Sequence, residues 1–265
     1  MSDDLKALQI TVRNANDYRK KNYGKWHDDN TLENEWLDDG TEWSQRDNDE
    51  GWESRYQYES SLISDIIVGN DCKNILEIGS GPGKLSHYAQ IKAKENGFKI
   101  EEYHLIDKLN AKKRFEKRKY EGKFFVKDLF NQFDTNGLNK NYDMIIANDF
   151  LEHIANPSDV VNKCWNLSHD DTLFFVSVPN WRMEHDFIYR GLFDFDNFKY
   201  FMWIHGFSPV MVKGSDLKTP PHPKTDYETT LPDELLDSWN WYFVFRKITE
   251  EFSEEMTRKF NESKK

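Results

Sequence analysis

The chain has 265 residues, enough for one large domain with additional segments, and only 37% of them are hydrophobic. Its 19 Phe, 12 Tyr and 9 Trp nevertheless supply the buried area that a core requires. The formal net charge of -11 repels a phosphate backbone, which disfavours a protein that binds nucleic acid nonspecifically.

The two cysteines, Cys72 and Cys164, belong to no CxxC pair and to no histidine cluster. A disulfide framework and a zinc site both lack their ligands, so we predict no metal site and a reducing compartment. The first residues, MSDDLK, do not resemble a secretion signal, and no stretch reaches the ~18 apolar residues of a membrane span. These features predict a cytoplasmic protein without a membrane partner.

Residues 1–60 are polar and acidic, yet they contain four tryptophans, namely Trp26, Trp36, Trp43 and Trp52. Disordered segments are usually poor in aromatic residues. We therefore predict that this segment is an N-terminal aromatic-rich cap, which docks on the core domain or on a ligand.

From residue 73 the chain alternates short apolar runs with helical stretches, a pattern typical of βαβ units and a mainly parallel sheet. The predicted strands cover residues 74–78, 102–106, 123–126, 142–147, 173–178, 207–212 and 241–245. The predicted helices cover residues 84–96, 109–119, 157–167 and 195–205. We expect a core domain over residues 61–248 with a long loop at 213–238, and a charged helix or tail over 249–265.

The run from Ile75 to Gly83 reads ILEIGSGPG, an apolar strand that ends in a glycine-rich turn ahead of a predicted helix. Glycine lets the backbone turn sharply and approach a ligand closely. The run matches neither the GxxxxGK[ST] of a phosphate-binding loop nor the GxGxxG of a dinucleotide site. The remaining feature is Glu77, an acid at the end of the strand that would attract a cationic ligand group.

The segment from Leu76 to Gly83 resembles the first motif of class I, Rossmann-like S-adenosylmethionine-dependent methyltransferases. Further motifs of that family follow in its order over residues 73–212: YHLID ending at Asp107, FFVKDLF, YDMIIANDFLEHIANP and FVSVPN. The resemblance implies S-adenosylmethionine as the cofactor. It also implies an α/β fold with a seven-stranded, mostly parallel sheet, helices on both faces and an antiparallel last strand.

The resemblance further implies which residues bind the cofactor. Asp107 would accept hydrogen bonds from the ribose hydroxyls, which suits a carboxylate because it can accept from two vicinal groups. Asp128 and Leu129 would lie beside the adenine, and Asn148 and Phe150 beside the methionine half. The complete predicted set is Glu77, Gly79, Ser80, Gly81, Gly83, Asp107, Lys108, Asp128, Leu129, Asn148 and Phe150.

Two histidines are candidate general bases. His185 lies in a segment, residues 178–207, that resembles the region after the fifth strand in the small-molecule and sugar methyltransferases of this family. His153 belongs to the LEH run, where it suits equally a hydrogen bond that anchors the loop. A general base must reach the proton that it removes, so both assignments are hypotheses at this point.

The acceptor is less constrained. The residues after the fourth predicted strand, from Asn148 to Leu151, lack the Pro-Pro pair of amino-methylating DNA enzymes, and neither cysteine follows a proline as in cytosine-C5 enzymes. We predict transfer to an oxygen or nitrogen atom of a small-molecule or saccharide-type acceptor, and no action on DNA. Two alternatives stay open: an RNA or protein methyltransferase that uses the basic run at residues 108–127, and a binding module of this fold without catalysis.

Overall fold

The computed structural model describes residues 50–107, 109–127, 129, 133–138, 141–180, 189–215, 233–250 and 254. In chain order its helices and strands are α1 (Glu50–Gly69), β1 (Asn74–Ile78), α2 (Lys84–Glu95), β2 (Glu102–Asp107), α3 (Leu109–Arg118), β3 (Lys123–Val126), β4 (Tyr142–Asn148), α4 (Pro157–Leu167), β5 (Ser168–Pro179), α5 (Phe195–Ile204), β6 (Phe207–Gly214), α6 (Asp233–Leu236) and β7 (Asn240–Lys247). Short 3-10 turns lie at Leu151–His153 and Arg190–Phe193.

The seven strands found in the described residues form one sheet in the order β3-β2-β1-β4-β5-β7-β6. Strands β1 to β5 pair in parallel. Strand β7 is antiparallel to both β5 and β6, so six strands share one direction and the last strand opposes them. The predicted Rossmann-like sheet, with its antiparallel last strand, is confirmed.

Strand β7 shows why the strands of this sheet are continuous apolar runs. Trp241, Phe243 and Phe245 belong to the core cluster on the side of α4 and α5. Tyr242 and Val244 belong to the cluster on the side of α1, α2 and α3. Because successive side chains of a strand point to opposite faces, helices on both faces bury each residue of β7 from Asn240 to Phe245.

The register of the parallel strands brings their carboxyl ends together. Ile78 at the end of β1 lies opposite Ile106 in β2, and Glu77 lies opposite Ile146 in β4. The residues that follow β1, β2 and β4 therefore meet at one edge, here called the carboxyl edge. In open α/β sheets this is the edge at which ligands bind.

Strand β5 is longer than its apolar run predicts, because it begins at Ser168 rather than Leu173. The additional residues, SHDDT, lie at the opposite edge of the sheet, where Ser168 pairs with Tyr142. Asp170 and Asp171 are exposed there, so the extension carries no apolar pattern that sequence analysis could detect.

Helix α1 crosses residue 60, at which the sequence suggested a boundary between cap and core. Its second half buries Leu62, Ile63, Ile66 and Ile67, which recur at helical spacing. Residues 1–49 and 216–232 lie outside the described residues, as do nearly all residues after 250, so the predicted cap and tail stay predictions. Among the described helices, none has the length and apolar character that crossing a membrane requires.

Candidate active site at the carboxyl edge

The turn between β1 and α2 is built around three glycines with left-handed backbone. Gly79, Gly81 and Gly83 have φ angles of 69°, 53° and 79°, a region that residues with a Cβ avoid. A Cβ at Gly79 would lie 2.2 Å from the ring of Phe150, whereas a Cβ at Gly81 would meet nothing within 4 Å. The glycine turn therefore packs tightly against the loop after β4 on one side and leaves open space on another.

The backbone N–H groups at the start of the glycine turn point into the protein. Gly79 and Ser80 both donate to the carbonyl oxygen of Ile106, at 2.9 and 3.2 Å. Gly81 donates to Oδ2 of Asp107 at 2.7 Å. A phosphate-binding turn presents such N–H groups to its ligand. These three N–H groups are thus not presented to a pyrophosphate, in agreement with the absence of a dinucleotide motif.

Asp107 stands where the sequence placed it, at the end of β2 beside the glycine turn. One carboxylate oxygen holds the turn through Gly81, and the side chain is half-buried. A carboxylate has about four acceptor positions, so the same group can hold the turn and is also suited to accept from vicinal hydroxyls. The structure therefore brings together two features predicted for cofactor binding, the glycine turn and this acid.

Glu77 lies beneath the glycine turn and is only 2% exposed. Its carboxylate accepts hydrogen bonds from the hydroxyl of Ser86 in α2 and, at 3.0 Å, from that of Tyr103 in β2. Burial raises the pKa of Glu77 to about 7, although both hydrogen bonds act in the opposite direction. Glu77 thus ties β1, β2 and α2 together under the turn, and direct contact with a cationic ligand stays a prediction.

Of the residues predicted near the end of β4, Phe150 lies against the glycine turn. Phe150 is 6% exposed and packs on Gly79. Asn148 donates from Nδ2 to Oε2 of Glu59 at 3.1 Å, and its Oδ1 is buried without a hydrogen-bond partner among the described residues. Leu129 is 4% exposed and belongs to the core on the side of α4 and α5, so its side chain supports this edge from within.

A network of buried polar side chains lies beside Asn148, and sequence analysis did not predict it. Arg55 in α1 donates to Oε1 of Glu59 at 2.7 Å and to Oδ2 of Asp149. Asp149 also accepts hydrogen bonds of 2.6 Å from Ser177 in β5 and from Asn240 in β7. Burial raises the pKa of Glu59 above its ordinary value, against the effect of Arg55. We call Arg55, Glu59, Asn148, Asp149, Ser177, Asn240 and Tyr242 the carboxyl-edge network.

Of the two candidate bases, His153 lies in the described residues. Its Nε2 is 3.8 Å from Oε1 of Glu152, whose pKa is raised by burial despite the neighbouring histidine. Lys108, Asp128 and His185 lie outside the described residues, so their assignments stay predictions.

Sequence comparison with known proteins identifies a family and a relative. Residues 29–212 match the methyltransferase domain family. Ubiquinone biosynthesis O-methyltransferase from Glaesserella parasuis serovar 5 (strain SH0165) is 30% identical over 122 residues, which are 45% of this chain and 51% of that protein. The chain thus spans about half the length of this curated relative.

Solved structures show the same fold. Plantazolicin methyltransferase BamL, in complex with a triazolic desmethylPZN analog and SAH, has a TM-score of 0.58 and 15% identity, and the likeness covers 92% of this chain and 99% of that one. An S-adenosylmethionine-dependent methyltransferase from Clostridium acetobutylicum ATCC 824 has a TM-score of 0.52 and 10% identity, with 73% and 92% covered. At identities this low, the likeness concerns the fold alone.

Gly79→Ala is expected to weaken binding of S-adenosylhomocysteine about tenfold or more, because the new Cβ displaces Phe150 and with it a preorganised site. Gly97→Ala is the matched control, since Gly97 also has a positive φ, of 74°, but a Cβ there meets nothing within 4 Å. Each alanine adds about 1 kcal/mol of left-handed strain. Titration calorimetry and thermal unfolding on both variants check this, and equal affinities would contradict it.

Glu77→Gln is expected to gain stability relative to the unaltered protein as pH rises. Folding raises the pKa of this carboxyl from 4.5 to about 7, so it stabilises the fold while protonated, fully below pH 4.5, and this contribution is lost as pH approaches 7. The difference in unfolding free energy should shift by up to about 3 kcal/mol. Urea unfolding across this range measures it, with the exposed Glu95→Gln as control, and a pH-independent difference would refute the assignment.

Proposed function

The chain belongs to the methyltransferase domain family, and we propose that it transfers a methyl group from S-adenosylmethionine to an oxygen or nitrogen atom of a small-molecule or saccharide-type acceptor. The observation that carries the proposal is the glycine turn whose N–H groups face inward while Asp107 stands beside it. This arrangement suits a ligand that offers ribose hydroxyls and no pyrophosphate.

The methionine half of the cofactor would lie along the start of the loop after β4. The buried Oδ1 of Asn148 has no donor among the described residues, and leaving a buried acceptor unpaired costs about 1–3 kcal/mol. An ammonium group is a donor that would satisfy it. Phe150, packed on Gly79, would limit access of water from the same side.

The cofactor supplies a methyl carbon that its sulfonium already makes electrophilic, so the chain's residues mainly have to align an acceptor atom behind that carbon and exclude water. An oxygen acceptor gains from a base that removes its proton, whereas an amine has only to be held deprotonated. We propose His153 and His185 as candidates for that base. Unchanged turnover in His153→Ala and in His185→Ala would exclude both histidines as the general base.

The choice of a small acceptor rests on charge and on the named relative. A formal net charge of -11 opposes a polyanionic acceptor, and the curated relative is named as an O-methyltransferase of ubiquinone biosynthesis. In helix α3 the basic side chains Lys113 and Lys117 are exposed, as is typical of a solvated helix face.

Incubation of the purified protein with methyl-labelled S-adenosylmethionine and fractionated cell extract tests the proposed function. We expect label in a product of low molecular mass. Label in RNA or protein would refute the small-acceptor part, and RNA binding that weakens steeply with salt would point to the polymer instead. Cofactor binding without transfer to any fraction would refute catalysis.

Asp107→Ala is expected to weaken cofactor binding about 10- to 100-fold, because a hydrogen bond to a charged acceptor contributes about 1.5–3 kcal/mol. Asp107→Asn separates two effects of the carboxylate. Its amide oxygen can still accept from Gly81 and hold the turn, but it accepts less from a pair of hydroxyls, so affinity should fall while thermal stability is retained. The exposed Glu101→Ala, before β2, is the control. Unaltered affinity in both Asp107 variants would contradict the assignment.

A further inference from the structure

The loop after β4 contains a strained residue in the middle of the proposed site. Asp149 has a φ of 45°, in the left-handed region, and it stands between Asn148 and Phe150. A residue with a Cβ stays in this region only when its surroundings hold it there, and such residues concentrate at functional sites. The contacts that hold Asp149 are therefore contacts that set the position of both neighbours.

Three separate elements hold Asp149. Ser177 of β5 accepts its N–H at 2.9 Å and donates to its Oδ1 at 2.6 Å, and Asn240 of β7 donates to the same oxygen at 2.6 Å. Arg55 of α1 donates to Oδ2, the other oxygen. Arg55 is thus a cationic partner of this carboxylate, and it comes from α1, which precedes the strands of the sheet.

Arg55 is itself held rigidly. It is 9% exposed, and its Nε donates to Glu59 one helical turn along α1. Glu59 is 1% exposed and also accepts from Tyr242 at 2.9 Å and from Asn148 at 3.1 Å. A guanidinium suits this position because its planar fork donates in two directions at once, to two different carboxylates.

Through these bonds α1 reaches the last residue of β4 and the first residue of the loop that follows it. Glu59 receives the Asn148 amide, and Arg55 pairs with Asp149. The next residue, Phe150, lies where a Cβ on Gly79 would touch its ring. The chain of contacts therefore runs from α1 through the loop to the glycine turn.

We propose that Arg55 is a positioning residue of the cofactor site. By pairing with Asp149 it holds the loop after β4 in its left-handed conformation and keeps Phe150 against the glycine turn. The inference rests on the proposed function, because the affected site is the one assigned there to S-adenosylmethionine. What is new is that helix α1, which lies before the motifs of residues 73–212, sets the geometry of that site.

The test compares Arg55→Met, Asp149→Asn and the double variant with the unaltered chain. Methionine approximates the apolar stem of arginine without its charge, and asparagine tolerates the left-handed region. Each single variant is expected to bind S-adenosylhomocysteine about tenfold more weakly, the scale of a residue that acts through a neighbour. The double variant should lose less affinity than the two single losses added together, because both changes remove the pairing of Arg55 with Asp149. Calorimetry at a temperature at which all variants are folded measures this.

Lys92→Met is the matched control. Like Arg55, Lys92 forms a bond between α1 and another element, in this case α2. Its Nζ donates to the carbonyl oxygen of Gln57 at 2.7 Å and to Oγ of Ser61 at 2.6 Å. Lys92 lies toward the end of α2 that is remote from the glycine turn. If Arg55 merely docks α1, Lys92→Met and Arg55→Met should act alike. Arg55→Lys, which keeps the charge but not the fork, should recover only part of the affinity.

A spectroscopic signal separates positioning from general stability. In protein labelled with 15N-glycine, the N–H signals of Gly79 and Gly81 can be identified among 13 glycines by their loss in Gly79→Ala and in Gly81→Ala. We expect both signals to shift in Arg55→Met and Asp149→Asn but not in Lys92→Met.

Wild-type-like affinity and unshifted glycine signals in Arg55→Met would overturn the proposal. If that variant does not fold, Asp149→Asn decides by the same two measurements. If the unaltered chain binds no S-adenosylhomocysteine, the proposed function fails, while the glycine signals still report whether Arg55 positions the loop.

Discussion

The pairing of the glycine turn with the end of β2 is the constraint on which the rest of the site depends. Two N–H groups converge on one carbonyl oxygen, that of Ile106, and a third binds Asp107. This inward arrangement requires left-handed backbone at Gly79 and Gly81, which glycine adopts without steric penalty. It also aligns β1 with β2 at the point where a ligand would cross both strands. The N–H groups of residues 79–81 are thereby used within the protein and are not presented to a phosphate.

The glycine turn is supported from two sides by different chemistry. Beneath it, Glu77 is buried with hydroxyl partners from α2 and β2, which sets the distance between those elements. Above it, the ring of Phe150 fills the space that a side chain at position 79 would need. The carboxyl group of Glu77 titrates, whereas the ring of Phe150 does not. A change of pH therefore acts beneath the glycine turn, and a substitution in the loop after β4 acts above it.

The parts of the fold that sequence analysis predicted are those encoded by local pattern. The strands were predicted because burial on both faces makes each one apolar, and the glycine turn because its motif is contiguous. The order of motifs identified the family and its cofactor, and the family match confirms that identification. Local pattern could not reveal that Glu77 points under the turn, since a strand end faces either a ligand or a neighbouring helix. It also could not reveal the pairing of Arg55 with Asp149, which are 94 residues apart.

The carboxyl-edge network raises the question of why charged groups hold a loop that apolar residues could cover. Replacing a buried ion pair by apolar side chains is often neutral or stabilising, so stability alone does not account for Arg55 and Glu59. Apolar neighbours of Asp149, such as Phe150 and Leu151, can pack in several ways because dispersion is not directional. Hydrogen bonds to a carboxylate are directional, and bonds from three elements are satisfied together in one conformation of the loop. The network thus favours a single geometry of the loop beside the site that we propose for the cofactor.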